Sequence, residues 1–309
     1  MNQDAIDGRT RLIGLMGWPL APYSPLDLYN AAFCAAGLNW RCVSLPIAKG
    51  ELRAALLGLR ALGFMGAEVA APYQREVVPH LDELGPAAEA MGIVDLVQVD
   101  GCGRLVGENV RWLGFLATLR TLVPSLNGLR PLVMGSGVDA TSVVYALTHE
   151  GLPVTIVDER IDRAVDMVRR LRHVLHEHSF SVYGLSPDLD RVASGANLII
   201  NASGPDAWLE TDRSPWPDQV AFPKGALVFD LASWHRDSRF LRRARSSGAG
   251  TANGLSLAVN SAAAAFERWT GQPAEIEAMW RALEKRRIWE MPQGLSLPGD
   301  MVLVRSLDN

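Results

Sequence analysis

The ten residues PLVMGSGVDA, Pro131 to Ala140, decide the fold of this chain. The apolar run 131–134 reads as a short buried strand, and it passes directly into Gly135-Ser136-Gly137-Val138-Asp139-Ala140. Glycines are needed where a turn is tight and where backbone must approach a pyrophosphate, whose charge then rests on a helix N-terminus. Gly135 and Gly137 fill those places, and Ala140 supplies the small residue at the third. Downstream, 141–150 reads as a helix and 154–157 as a strand ending at Asp158. A carboxylate there accepts hydrogen bonds from a ribose and repels a 2′-phosphate. Strand, glycine turn, helix, strand and acid together predict a Rossmann-like dinucleotide-binding domain. NAD is the expected cofactor, and NADP stays open because Arg160 and Arg163 lie close enough to meet a phosphate. The candidate cofactor residues are Gly135, Ser136, Gly137, Val138 and Asp158, joined by Asn201 and Ser203 at the exit of a later strand. The alternative is a domain of this kind whose site has decayed, because Asp139 puts a negative charge into the phosphate turn.

The same alternation extends outward in both directions. Towards the C-terminus, a helix over 161–174 and strands over 197–201 and 226–231 continue the βαβ rhythm, and helices over 256–269 and 273–285 close it. Towards the N-terminus, strands are expected over 12–16, 40–46, 66–71 and 93–99. Helices are expected over 26–36, 50–62, 75–84, 86–91 and 113–123. Alternating strands and helices imply an α/β protein, and 309 residues suit two domains at roughly 150 residues each.

Composition excludes several classes. Hydrophobic residues make up 48% and charged residues 21%, with a net charge of −4, so no basic surface points to nucleic acid or an anionic membrane. The longest apolar stretches are broken by charges, as 54–71 is by Arg60 and Glu68, so no membrane span is expected. The polar start MNQDAIDGRTR lacks the apolar core of a signal peptide, and Cys34, Cys42 and Cys102 have no CxxC spacing. A cytoplasmic protein is expected. His173, His176 and His178 sit at a helix end without a convergent further ligand; they are read as charges suited to a helix C-terminus, and no metal is expected.

Five segments carry a resemblance. They are GWPLAPYSPLDLYNAAF (17–33), GFMGAEVAAPYQREVVPHLDEL (63–84), GIVDLV (92–97), GENVRWLGF (107–115) and GLSLAVNSAAAAFERWTG (254–271). With the nucleotide turn, their order and spacing resemble the shikimate dehydrogenase family from about residue 12 to residue 271. The resemblance implies a substrate-binding domain over 1–112 and a Rossmann-like NAD(P)-binding domain over 113–252. It also implies C-terminal helices and a tail, 253–309, that return to the first domain. Such enzymes interconvert a ring hydroxyl and a ketone with NADP or NAD, using a lysine and an aspartate at the reacting oxygen. Relatives occur as monomers or dimers, so a homodimer is an open expectation.

The residues that make this chemistry are largely replaced. The lysine position holds Gln74, preceded by Tyr73, and the aspartate position holds Arg111. The two serines for the substrate carboxylate fall on Tyr23 and Pro25, with Ser24 between them; the threonine falls on Ala70, an asparagine on Asp95 and the late glutamine on Ser261. Asn30 and Asn109 are kept. Glutamine cannot exchange a proton near neutral pH, and Lys49, Lys224 and Lys285, the only lysines, all lie outside these segments. The expected site therefore takes a small substrate other than shikimate. Arg111 is read as a clamp for a substrate carboxylate, and Tyr73 or Gln74 as the group at the reacting oxygen. Tyr23, Ser24, Tyr29, Glu68, Asp95, Asn109 and Ser261 complete the expected substrate cleft. Three functions follow: an NAD(P)-dependent oxidoreductase acting on a small carboxylate-bearing alcohol or ketone, a catalytically inactive relative that binds a ligand or partner, or, ranked last, a non-redox enzyme using Tyr73, Asp95 or Glu68 as acid or base in the same cleft. An Arg111–Asp95 or Arg111–Glu68 ion pair filling a disused cleft would suit the second.

Overall fold

The computed structural model describes residues 6–18, 20, 25–172, 180–185, 189–204, 214–231 and 238–290, the last five as backbone only. Two six-stranded sheets organise it. The first contains β1 (Arg11–Gly17), β2 (Trp40–Pro46), β3 (Gly66–Val69), β4 (Glu83–Leu84), β5 (Leu96–Val99) and β6 (Leu105–Glu108), in the order β2-β1-β3-β5-β6-β4. β1 pairs in parallel with β2 and β3, whereas β5 runs antiparallel to both β3 and β6. Helices α1 (Leu26–Ala35), α2 (Leu52–Ala61) and α3 (Pro86–Met91) connect these strands, and α4 (Arg111–Leu122) leads out of the sheet.

The second sheet is entirely parallel. It contains β7 (Pro131–Met134), β8 (Val154–Asp158), β9 (Phe180–Gly184), β10 (Leu198–Asn201), β11 (Leu227–Asp230) and β12 (Gly250–Asn253). Its order, β12-β11-β10-β7-β8-β9, reverses direction at β7. That is the doubly wound 3-2-1-4-5-6 arrangement, in which ligands bind at the carboxyl ends of the strands beside the reversal. All four residues of β7 and of β10 are buried, as expected for central strands covered on both faces. Helices α5 (Val138–His149), α6 (Ile161–Arg172), α7 (Leu189–Ala193) and α8 (Arg239–Ser246) belong to this half.

The last two helices, α9 (Leu255–Thr270) and α10 (Ile276–Glu290), return to the first sheet. Phe266 packs on Phe33 with ring centroids 5.3 Å apart, and Trp269 meets Tyr29 edge-on at 5.2 Å. Met279 of α10 joins the same core, which includes Ile13, Leu28 and Phe33. Between the two halves α4 and α9 lie against each other so closely that a Cβ at Gly114 would fall 2.5 Å from the backbone nitrogen of Ser261.

One predicted element is corrected. Residues 75–84 do not form a helix: they hold a single 3-10 turn, Val78–His80, and then the strand Glu83–Leu84. Pro79 removes a backbone donor, and β6 offers the extended chain better partners. Leu105 N donates to the Asp82 carboxylate at 2.7 Å, and β4 pairs in parallel with β6. β6 is a four-residue strand not expected from the sequence, and it follows a tight turn at 100–103. Asp100 Oδ1 accepts from the amides of Cys102 (2.8 Å) and Arg104 (2.9 Å), which folds the chain back as a hairpin. No helix among the described residues is long and apolar enough to cross a membrane.

Candidate active site

A cleft lies where the first sheet faces the crossing helices. Tyr29 of α1, Glu68 of β3, Gln74, Asp95, Arg111 of α4 and Ser261 of α9 line it. Each is placed by its backbone. Glu68 sits on a strand paired on both sides, so its side chain projects from a rigid element. Asp95 precedes β5, and its carboxylate accepts from the amides of Val110 (2.8 Å) and Arg111 (2.9 Å). Those donors open α4, so Asp95 caps the helix that crosses between the halves. Tyr29 Oη donates to Glu68 Oε2 at 2.6 Å.

Burial governs the charges here. It is the foremost influence raising Glu68 from 4.5 to about 7, with the Asp95 charge adding to it and the Tyr29 hydrogen bond and Arg111 opposing it. Asp95 is raised from 3.8 to about 6, again chiefly by burial, against the two helix amides and Arg111. The Tyr29 phenol, buried beside Glu68, is held well above its ordinary range and stays protonated.

Arg111 pairs with neither Asp95 nor Glu68. Its Nε lies 2.5 Å from Oδ1 of Asp139 in the first turn of α5. The contact is one of charge rather than an aligned hydrogen bond, since Nε has no hydrogen-bond partner of good geometry. Its terminal Nη groups make no hydrogen bond to any described residue. The negative charge expected to spoil the phosphate turn is therefore balanced by a residue of the cleft, and no local pattern in the sequence signalled that partner.

The nucleotide turn has the geometry its glycines predict. Gly135 sits at φ +103°, and a Cβ there would fall 2.6 Å from the carbonyl oxygen of Ala202. Gly137 precedes α5 with an ordinary φ, no side-chain cap and open space where a Cβ would be. The first amides of α5 thus have no side-chain acceptor, as anion binding requires. Ser136 and Val138 flank this turn half-buried. Asp158 ends β8, with Oδ1 accepting from Arg160 N at 2.7 Å. The Arg160 guanidinium is engaged by Asp162 at 2.9 Å. These residues fit a dinucleotide.

Other predicted residues lie elsewhere. Tyr73 is not in the cleft: it is 2% exposed, packed in the core with Ile47 and Val77, and its hydroxyl donates to the Ile47 carbonyl at 2.6 Å. It has no access to a substrate oxygen. Asn109 is buried behind the cleft, with Nδ2 near the Ile93 carbonyl at 3.4 Å and Ser142 Oγ at 3.5 Å, and with Oδ1 unpartnered. Asn201 is committed to a buried network: Nδ2 donates to Asp230 Oδ1 at 2.9 Å, and Oδ1 accepts from the Ser203 hydroxyl at 2.7 Å. Asp230 Oδ2 accepts from Ser238 Oγ at 2.6 Å, so these side chains brace the ends of β10 and β11. Asn30 exchanges two hydrogen bonds with the backbone of Cys42 and stiffens α1 against β2. Tyr23, Ser24 and the histidines 173, 176 and 178 lie outside the described residues. Among the described residues no group of histidine, cysteine and acidic side chains could hold a metal ion.

Comparison with known proteins agrees with this architecture. Residues 15–97 match the model of the shikimate dehydrogenase substrate binding domain, and residues 262–284 match that of the shikimate 5′-dehydrogenase C-terminal domain. The NADP(+) shikimate dehydrogenase of Salinibacter ruber is 35% identical over 290 residues, spanning 90% of this chain and 98% of that one. The shikimate 5-dehydrogenase of Thermus thermophilus, solved with NADP(H) and shikimate, superposes with a TM-score of 0.77 at 26% identity over 89% of this chain and 99% of that one. The ligand-free 5-ketofructose reductase of a Gluconobacter species superposes with a TM-score of 0.80, also at 26% identity, over 91% of this chain and 100% of that one.

Proposed function

The chain belongs to the shikimate dehydrogenase family of NAD(P)-dependent oxidoreductases, and on that premise we propose that it acts on a small carboxylate-bearing alcohol or ketone other than shikimate. The observation that carries this reading is the exchange of charge in the cleft. Gln74 and Arg111 stand where the resemblance places a lysine and an aspartate, and both line the cleft. Arg111 offers its Nη edge, which no described residue engages, to a substrate carboxylate, the planar pairing guanidinium favours. Gln74 is a hydrogen-bond donor for the substrate oxygen. The domain division at 1–112, 113–252 and 253–309 belongs to the same reading, with the cleft residues drawn from the first and last parts.

Gly135, Gly137 and the opening of α5 would hold the dinucleotide pyrophosphate, and Asp158 a ribose hydroxyl, which favours NAD over NADP. The bound dinucleotide supplies or accepts the hydride. The inactive alternative loses one of its two supports, since the charge of Asp139 is balanced by Arg111.

Titration with NADH and NADPH, followed by energy transfer from tryptophan to the nicotinamide, tests the cofactor. Saturable binding with NADH preferred is expected, and Asp158→Ser should shift the ratio towards NADPH about tenfold, or 1.4 kcal/mol. Turnover is then compared for shikimate, quinate, 5-ketofructose and a panel of hydroxy acids. Shikimate oxidation at the rate of the best alternative would overturn the substrate reading. Binding of neither dinucleotide would return the protein to the inactive class.

A further inference from the structure

Proton exchange at a substrate oxygen needs a group that can take and return a proton within the cleft. Elimination among the described lining side chains leaves one; the Ser261 hydroxyl does not ionise near neutral pH. Gln74 has no proton to exchange, and Arg111 does not release its own. Both oxygens of Asp95 are occupied by the amides that open α4, so protonating it would uncap the crossing helix. The Tyr29 hydroxyl is already given to Glu68, and burial holds its phenol well above its ordinary range. Glu68 alone has one oxygen held and the other free: Oε2 accepts from Tyr29, while Oε1 has no described partner and is not among the sealed, unpartnered atoms. It therefore opens on the space lined by Gln74 and Arg111.

We propose that Glu68, held in place by Tyr29, is the residue that exchanges a proton with the substrate oxygen, taking over the task of the absent lysine–aspartate pair. This rests on the oxidoreductase reading above. In the oxidative direction the hydroxyl proton passes to Glu68 Oε1 while the hydride of the same carbon leaves to the oxidised dinucleotide. In the reductive direction the protonated carboxyl returns it to the forming alcohol. Tyr29 is a positioning residue: its hydrogen bond fixes the rotamer of Glu68 and favours the charged form. The groups facing Glu68 are Tyr29 from α1, Cys42 from β2, Asp95 before β5 and Arg111 from α4. The cysteine thiol is itself raised by burial and by Glu68, so it does not compete as a charge. Held near neutrality, Glu68 is matched to giving and taking a proton at working pH.

The decisive measurement is an infrared titration of the intact, substrate-free protein, following the carboxylic C=O band. A cleft carboxyl titrating near pH 7 is expected, absent in Glu68→Gln and displaced upward in Tyr29→Phe, which loses the bond favouring the anion. Should Glu68→Gln fold poorly, the displacement in Tyr29→Phe carries the test alone. Asp95 should leave a band titrating near pH 6 in every variant; a band near pH 7 that survives Glu68→Gln, or no displacement of it in Tyr29→Phe, overturns the proposal. In parallel, the best-turned-over compound among quinate, 5-ketofructose and the hydroxy acids should lose about 100-fold or more in kcat with Glu68→Gln, dinucleotide affinity being unchanged. A loss of less than about threefold also overturns it. If no compound turns over while the band behaves as expected, the oxidoreductase reading fails and the catalytic role of Glu68 falls with it, whereas turnover without the expected band overturns the role of Glu68 alone.

Discussion

Arg111, the first residue of α4 and a lining residue of the cleft, and Asp139, in the first turn of α5, form an ion pair, Nε to Oδ1 2.5 Å. Each is anomalous alone. A cation at a helix N-terminus opposes the helix dipole, and an anion in a phosphate turn opposes the ligand. Together they cancel, and Asp95 supports the same end of α4 with its carboxylate. Two residues in separate segments thus behave as one, and the cleft is joined to the nucleotide turn by a charge contact.

Arg111→Ala leaves Asp139 uncompensated beside the dinucleotide phosphates. The dissociation constant for NADH should rise about tenfold, some 1.4 kcal/mol. Asp139→Asn should hold or strengthen binding, and the double variant should return to within about threefold of the wild type, because the two effects share one interaction. Energy-transfer titration measures all three; additive losses in the double variant would mean that the pair is not coupled.

Gly135 and Gly137 should separate folding from binding. Gly135→Ala forces a side chain onto the Ala202 carbonyl at a positive φ, and about 2–4 kcal/mol of stability should be lost in urea denaturation. Gly137→Ala meets no atom of the described residues within 4 Å beyond its chain neighbours and should leave stability nearly unchanged. Its methyl group would nevertheless stand at the opening of α5, where the pyrophosphate approaches, so dinucleotide affinity should fall at least about tenfold.

Tyr73→Phe should not alter turnover of any accepted substrate. Its cost falls on folding: the Ile47 carbonyl loses a buried donor, and about 1–2 kcal/mol should disappear from the unfolding free energy. A loss of kcat with unchanged stability would contradict the buried position of this ring.

The raised carboxyls set the pH dependence of stability. Glu68 moves from 4.5 to about 7 and Asp95 from 3.8 to about 6, so the folded protein holds more protons than the unfolded chain within these windows. Stability therefore falls as pH rises from about 4 through about 7 and loses nothing more from these groups above that. Denaturation at about pH 5 and about pH 8 should show the protein weaker at the higher value, and Glu68→Gln should narrow the gap by about 1–3 kcal/mol. A gap unchanged by that variant would mean that Glu68 titrates normally.

What could be read from sequence alone followed the range of the interactions concerned. The turn at Gly135 and Gly137 was legible because the demand for glycine arises from neighbouring backbone, and the strand bounds 40–46 and 131–134 follow from apolar runs with clear ends. Tyr73 was misplaced because adjacent residues face different ways: its ring enters the core while Gln74 reaches the cleft. Asn201 looked like a cofactor contact at a strand exit, but its partner Asp230 belongs to the next strand. The pairing of Arg111 with Asp139 was invisible for the same reason, since only the tertiary fold makes them neighbours. Glu68 was named as a cleft residue, yet its freedom to exchange a proton depends on the occupancy of Asp95, which no spacing rule reveals.

The return of α9 and α10 to the first sheet has a consequence for the order of synthesis. A ribosome delivers Ile13, Leu28 and Phe33 early, but their core is closed by Phe266, Trp269 and Met279. Among the described residues, the core around β7, β8 and β10 includes nothing beyond Leu257. Domains ordinarily fold in the order in which they are made. In this chain one of the two cores of the half made first must wait, exposed, for nearly the whole polypeptide to emerge, although its other core lies wholly within residues 12–105. The nucleotide-side half can complete itself earlier. Nascent-chain protection against proteolysis should therefore appear over 131–253 before it is complete over 11–108.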